Sequence, residues 1–303
     1  MIQKTAKADF SIASAEELPE RTSRLREIYD DFVASKIALL GLLLVTVTIL
    51  MAIFAPEIAP YDPTKPLSLP SQWHSPEHIL GTDHLGRDVF SRIVYGARVS
   101  LIVGISARSI SAIVGLTLGL IAGYYGGRVD SFIMSVVDIF MSFPYILLAL
   151  LVVASLGAGI GNVILALGVT GWTGIARIAR IQALSLREEN FIQAQKSIGC
   201  SNGYILLRHV LPNALAPVLV VATLGMAFAI IGEASLSFLG VGVPPPTPSW
   251  GKMLADGRSY MSLAPQLSIL PGLAILLTVL GFNLVGDGLR DALDPRLRTR
   301  TLG

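Results

Sequence analysis

Arg177-Ile-Ala-Arg180-Ile-Gln-Ala-Leu-Ser-Leu-Arg187-Glu-Glu-Asn190-Phe191-Ile192-Gln193-Ala194-Gln195-Lys196-Ser-Ile198-Gly199-Cys200-Ser-Asn-Gly-Tyr204-Ile-Leu-Leu-Arg208-His209-Val-Leu-Pro212 is a basic, polar island between two segments apolar enough to cross a membrane. The pattern predicts two short amphipathic helices. Phe191, Ala194, Gln195 and Ile198 share one face at helical spacing, and Gly199 ends the run where a left-handed cap is expected. Ser201 or Asn202 then caps a second helix, whose Tyr204, Leu207 and Leu211 again share a face before Pro212 opens the next span. An exposed helix–Gly–helix element needs something to receive its apolar face. The island therefore reads as a docking surface for a soluble partner.

Composition sets the rest of the chain around this island. Of 303 residues, 52% are hydrophobic and 15% charged, with mean hydropathy +0.65. Ordinary soluble domains carry about a quarter charged residues, so this is a polytopic membrane protein. One cysteine, Cys200, excludes a disulfide framework and reads as an inert cytoplasmic thiol. A net charge of +2, spread over loops, gives no support to nucleic-acid binding. Residues 1–35 are rich in charge (Lys4, Lys7, Glu16, Glu17, Arg21, Arg24, Arg26, Asp30, Asp31) and lack the apolar core of a cleavable signal. They read as a cytoplasmic N-terminal tail.

Crossing the hydrocarbon core takes about 20 mainly apolar residues in a helix. Six windows satisfy this: residues 37–55, 100–124, 132–156, 160–175, 214–231 and 267–285. They define an all-α transmembrane domain over 36–289, with a C-terminal tail over 290–303. An even number of spans puts both termini on one side. The tail arginines, Lys36, Arg128, Arg177, Arg180, Arg187, Lys196, Arg208 and Arg290 onward share a side if that side is the cytoplasm. Residues 177–212 are then a cytoplasmic loop, while Pro66 and Pro246 face outward. Lys65, Arg87, Arg92, Arg98, Lys252 and Arg258 fall on the outer side. The three arginines before the second span run against the rule. They lie where Phe90, Ile93, Val94, Ala97 and Leu101 form an apolar stripe, which predicts a separate helix lying at the outer interface within an outer region 56–99. Proline-rich outer loops should be extended and stiff. Gly115, Gly119 and Gly123 recur at four-residue spacing, predicting a close helix contact within this chain or with a partner.

Chemistry-bearing groups are few. Gly251-Lys252 is followed by Met253 and has Pro246 where a phosphate-binding loop would place its first Gly, so there is no nucleotide motif of that kind. The four histidines are scattered. Asp83, His84 and Asp88 read as a capped turn before a metal site, and no metal site is expected. No nucleophile with a base and no metal triad lies in the spans, so the chain reads as a non-enzyme without catalytic residues or a cofactor of its own. Three ionisable groups fall in or near the spans, where charge is costly: Arg108, Asp138 and Glu233. Each is a pathway candidate. The alternatives are structural pairing for Arg108 and Asp138, and contact with headgroups or water for Glu233 at the outer end of its span.

With the island on the cytoplasmic side, the chain resembles the permease subunits of bacterial binding-protein-dependent ABC importers. Their signature is E-A-A, three residues, G, nine residues, commonly Ile, one residue, then L-P. Gln193-Ala194-Gln195, Gly199, His209 and Leu211-Pro212 occupy those positions, with Gln193, Gln195 and His209 departing from the pattern. Gly81-Thr-Asp-His-Leu-Gly-Arg-Asp88, Gly232-Glu-Ala-Ser-Leu-Ser-Phe-Leu-Gly240, Pro244-Pro-Pro-Thr-Pro-Ser-Trp-Gly251 and Asp294-Pro-Arg-Leu-Arg298 look like the C-type permease of the dipeptide/oligopeptide/nickel importers. The resemblance implies the six-helix type I ABC importer fold in the bacterial plasma membrane. It implies a heterodimer with a B-type permease, two cytoplasmic ATPases that bind ATP and Mg, and an extracytoplasmic solute-binding protein. A peptide is the implied cargo, with nickel or another small solute as the alternative. It also assigns ATPase docking to Asn190, Phe191, Ile192, Gln193, Ala194, Gln195, Ile198, Gly199, Tyr204 and Arg208. An ion-coupled secondary transporter and an intramembrane enzyme are the rivals. The first would show a repeat about Ser155, and none is evident.

Overall fold

A computed structural model describes residues 24–293. The expected tails fall mostly outside that range, and the Asp294–Arg298 block does so entirely. Among the described residues the regular structure is all helical, apart from one isolated β-bridge between Thr82 and Asp88. Five helices are long and apolar enough to span a membrane, and a bent pair makes six. The part of the expected tail that is described is ordered: α1 (Arg24–Ala34) packs on the last helix, with Phe32 beside Gly288.

The first span, α2 (Lys36–Ile53), starts at Ser35, whose hydroxyl accepts from the Ala38 amide at 3.3 Å. It buries Ala38, Gly41, Val45, Thr48 and Ala52 along one stripe and leaves Leu40, Leu43 and Leu50 exposed. That inversion belongs to a lipid solvent. Lipid tails are as apolar as leucine, so close packing of small residues, rather than hydrophobicity, decides which face turns inward. The stripe meets α13 (Gln266–Leu293) antiparallel: Gly41 fits against Gly281 and Leu284, and the Thr48 and Thr278 hydroxyls bond at 3.2 Å.

After the short α3 (Ala55–Ile58), the chain enters a folded loop over 59–88 and then α4 (Val89–Tyr125). The expected interfacial helix is not a separate element. Asp88 caps the span itself, accepting from the Ser91 amide at 2.7 Å, and one unbroken helix runs from there to Tyr125. Its first turns are buried by protein rather than laid on lipid. Trp250 fits over Gly96 and donates its indole N–H to the Ile93 carbonyl at 2.9 Å. Two of the three arginines that violate the charge rule are buried as partners of Asp83, Arg87 at 2.7 Å and Arg92 at 3.3 Å. A further bond runs from Arg92 to the Pro63 carbonyl. Asp83 and Asp88 are thus occupied by capping and pairing: Asp83 accepts from the Leu85 and Arg87 amides, and Asp88 from His78 at 2.9 Å.

The expected single span over 132–156 is broken. α5 (Gly127–Met141) and α6 (Tyr145–Leu156) meet at 87° across Ser142-Phe143-Pro144. Proline has no N–H to continue the ladder and forces the preceding residue out of helical angles. α7 (Ile160–Thr170) and α8 (Thr173–Arg187) together form the next long helix, so residues 177–187, the start of the expected loop, continue the helix of that span. α4 runs parallel to α8. A side chain at Gly115, Gly119 or Gly123 would strike the backbone at Trp172, Ala176 or Arg180, where Ala176, Ala179 and Ala183 complete the contact. The glycine stripe is an internal packing face.

The last part of the island is also continuous with a span. α10 (Asn202–Ile205), a π-helical turn at Leu206–Val210 and α11 (Leu211–Phe238) form one long helix. Pro212 cannot accompany the carbonyl four residues back, and the wider turn, closed by the Leu211 amide on the Leu206 carbonyl, absorbs the misfit. α12 (Trp250–Arg258) closes the far end, capped by Ser249. The helix pairings put α1, the end of α13 and the island at one end of the bundle, the basic end. The loop 59–88 and α12 lie at the other, the Pro-rich end.

Candidate functional site

At the basic end α9 (Asn190–Ser197) links α8 to α10. Its cap follows the sequence closely. Gly199 adopts φ +83°, the Cys200 amide bonds the Gln195 carbonyl, and the Gly199 amide bonds the Lys196 carbonyl, a Schellman closure. Ser201 caps the next helix through the Tyr204 amide. Ile192 departs from its expected docking role. It is 0% exposed and packs with Tyr124, Ala183, Ile205 and Val210. Ile192 therefore anchors α9 to the bundle.

Gln193 stands where the family signature has Glu, and it donates its side-chain amide to the Arg187 carbonyl at 2.9 Å, closing the end of α8. A carboxylate cannot make that bond. Lys196 lies over the Tyr124 ring, whose hydroxyl donates to Asn202. With Ile192 turned inward, Phe191, Ala194, Ile198, Tyr204 and Leu207 are left exposed, Ile198 at 73% and Leu207 at 66%. Asn190, Gln193, Gly199 and Arg208 are exposed beside them, and Gln195 is half-buried. Arg177 and Arg180 are not part of this surface. They pair with α5, Arg177 to Asp138 at 2.6 Å and Arg180 to both oxygens of Asp130, one at 2.6 Å.

A cavity of about 510 Å³ lies halfway along α4. Arg108, Ser111, Thr170 and Thr173 are among its polar walls; Phe140, Phe143 and Phe228 are among its apolar ones. Tyr145 and Phe143 reach it because of the α5–α6 break. Of the three ionisable pathway candidates, only Arg108 lines this space. Asp138 is a surface group, 63% exposed and paired with Arg177. Glu233, a pathway candidate with headgroups or water as the alternative, is 0% exposed. It accepts from the Ser237 hydroxyl at 2.7 Å and the Ser100 hydroxyl at 3.2 Å, tying α11 to α4. The break at Pro144 was signalled by a proline inside an apolar run. The burial of Glu233 had no such signal.

Among the described residues no group of three or more His, Cys, Asp or Glu side chains is placed to hold a metal ion. What the geometry offers is a helical bundle with a mainly apolar cavity at mid-depth, charged at Arg108, and a rigid apolar-faced element held out at one end. That combination fits a membrane permease. Residues 115–299 match the family described as binding-protein-dependent transport system inner membrane component, and 23–76 match the N-terminal TM domain of oligopeptide transport permease C. The chain belongs to this family of ABC importer permeases, and such permeases work with ATPase and substrate-binding partners.

Among its relatives, a dipeptide transport system permease protein, DppC, of Alkalihalophilus pseudofirmus is 49% identical over 90% of each chain. A glutathione transport system permease protein, GsiD, of Pectobacterium atrosepticum is 43% identical over 90% of this chain and 92% of its own. A di/tripeptide transport system permease protein, DppC, of Pseudomonas aeruginosa is 43% identical over 91% and 93%. The fold is shared with the MetNI methionine ABC transporter in its inward-facing conformations, with a TM-score of 0.56 over 68% of this chain and 98% of that one, at 19% identity.

Proposed function

We propose that this chain is the C-type permease half of an ATP-driven, binding-protein-dependent importer of short peptides. It pairs with a B-type permease to enclose the pathway, two cytoplasmic ATPases bind ATP and Mg and dock on its basic end, and an extracytoplasmic binding protein delivers cargo to the Pro-rich end. Both termini and α9 are cytoplasmic, following the Lys/Arg bias. The chain itself carries no cofactor and no catalytic residue.

The observation that carries the reading is α9. Its apolar residues are divided between an anchor, Ile192, and an exposed face of Phe191, Ala194 and Ile198. A short rigid helix held this way transmits displacement in both directions, whereas a flexible loop would absorb it. Closure of the ATPases would push and pull on α9, and through Ile192 on α4, α8 and α11, opening the mid-depth cavity to alternate sides. Peptide as cargo rests on the named transport roles of the relatives.

The test is reconstitution with all partner subunits and uptake of radiolabelled dialanine. Uptake requiring both ATP and the binding protein is the expected result. Uptake sustained by an ion gradient alone would replace this reading with a secondary transporter. Uptake of nickel but not of dialanine would change the cargo.

A further inference from the structure

Arg108 is an uncompensated cation at mid-depth. It sits at the middle of α4, half-buried, on the wall of the cavity of about 510 Å³. Its named partners are all main-chain carbonyls: Val221 at 2.6 Å, Ala222 at 3.2 Å and Gly171 at 3.5 Å. None of the ion pairs among the described residues includes it. A guanidinium has five N–H donors, so these bonds hold its plane and leave donors over. Carbonyl dipoles orient the group without cancelling its charge.

The surrounding backbone is shaped to hold the guanidinium there. Any side chain at Gly225 of α11 would overlap it, so that glycine exists in this helix as the space Arg108 occupies. An arginine inside a membrane protein is costly and is retained where it meets a partner or a pathway. Two helices also begin at this cavity: Tyr145 opens α6 and Thr173 opens α8, and both residues line it. The C-terminal ends of α5 and α7, at Met141 and Thr170, line it too, so the helix dipoles offset one another and Arg108 is the net charge of the site. The Ser111 and Thr170 hydroxyls are donated to the Gly168 and Ala166 carbonyls, and Phe140, Phe143 and Phe228 offer apolar wall beside the charge. A fixed planar cation beside an aromatic wall matches a carboxylate joined to a variable side chain.

We propose that Arg108 is a specificity-determining residue that binds the C-terminal carboxylate of the peptide in transit, a proposal that rests on the peptide reading above. A planar fork meets a carboxylate in two parallel bonds, so the cavity would hold the constant end of every peptide and leave its side chains to the apolar wall. That arrangement selects for a free C-terminus while tolerating sequence.

The experiment uses the purified permease–ATPase complex without nucleotide or binding protein and measures equilibrium binding of radiolabelled dialanine and of its C-terminal amide. The wild-type complex should prefer the acid by about tenfold or more, the usual worth of a charge-assisted pair. Arg108→Gln should bind acid and amide alike, and Arg108→Lys should keep part of the preference. Equal wild-type binding of acid and amide overturns the proposal, as does undiminished acid binding in Arg108→Gln, and neither the wild-type comparison nor the Lys variant depends on tolerance of the Gln change. The wild-type uptake assay above separates the two claims. Dialanine uptake with no acid preference in binding sinks only the role of Arg108, while no peptide uptake at all sinks the peptide reading.

Discussion

Gly119 of α4 lies directly on the Ala176 carbonyl of α8, and a Cβ at 119 would stand 2.7 Å from that of Ala179. The two helices touch backbone to backbone because neither presents a side chain larger than a methyl group there. Gly119→Ala should therefore destabilise by about 1–3 kcal/mol through overpacking, and Gly119→Leu should do worse. Melting and yield of the purified complex should fall in that order. Unchanged melting of Gly119→Leu would show that α4 and α8 do not meet this closely.

Ile192 and Ala194 are two positions apart on one short helix and should fail in different ways. Ile192→Ala removes a buried anchor and should cost about 2–5 kcal/mol, seen as faster proteolysis at α9 in the permease alone. Ala194→Asp changes an exposed residue and should leave melting of the permease intact. In the assembled importer it would bury a carboxylate in the groove of an ATPase, so ATPase association or ATP-coupled uptake should be lost. Full association and uptake in Ala194→Asp would remove α9 from the docking surface.

Asp83 compensates Arg87 and Arg92, all three of them buried. Replacing it by Asn leaves two buried guanidinium groups without their carboxylate, a loss of about 3–5 kcal/mol by analogy with other broken buried pairs. The loop 59–88 should then loosen, raising hydrogen exchange at Leu67 and Ser71, whose amides bond the Gly86 and Asp83 carbonyls. Exchange unchanged from wild type would mean that the backbone bonds suffice.

Topology is open to a direct reading. In a Cys200→Ser background, cysteines at Lys65 and Pro246 should react with an impermeant maleimide in intact cells, and one at Ser197 only after permeabilisation. Lys65, Pro246 and Ser197 are all exposed, so burial does not confound the comparison. Labelling at 197 in intact cells would invert the orientation.

The sequence by itself determined everything that depends on local chemistry or on the solvent. Apolar length gave the spans other than the one broken at Pro144, because a helix must satisfy its own backbone in lipid. Gly199 and Ser201 gave the caps of α9 and α10, because a left-handed residue and a hydroxyl acceptor act within one turn. Four-residue glycine spacing gave the close contact, since it leaves a bare stripe on one helix.

Only the tertiary structure decided what that stripe touches and where the charges go. Nothing local distinguishes Glu233, enclosed by Ser100 and Ser237, from a carboxylate at a membrane surface. Arg87 and Arg92 look like stray outer charges until Asp83 is folded against them. The island at 177–212 looked like one polar loop because polarity does not tell a helix end paired to a neighbour, as Arg180 is to Asp130, from one facing water. Arg108 and Gly225 are 117 residues apart in sequence, and one is the mould of the other only because α4 and α11 cross there. A cavity is space left between helices, so no single helix encodes it.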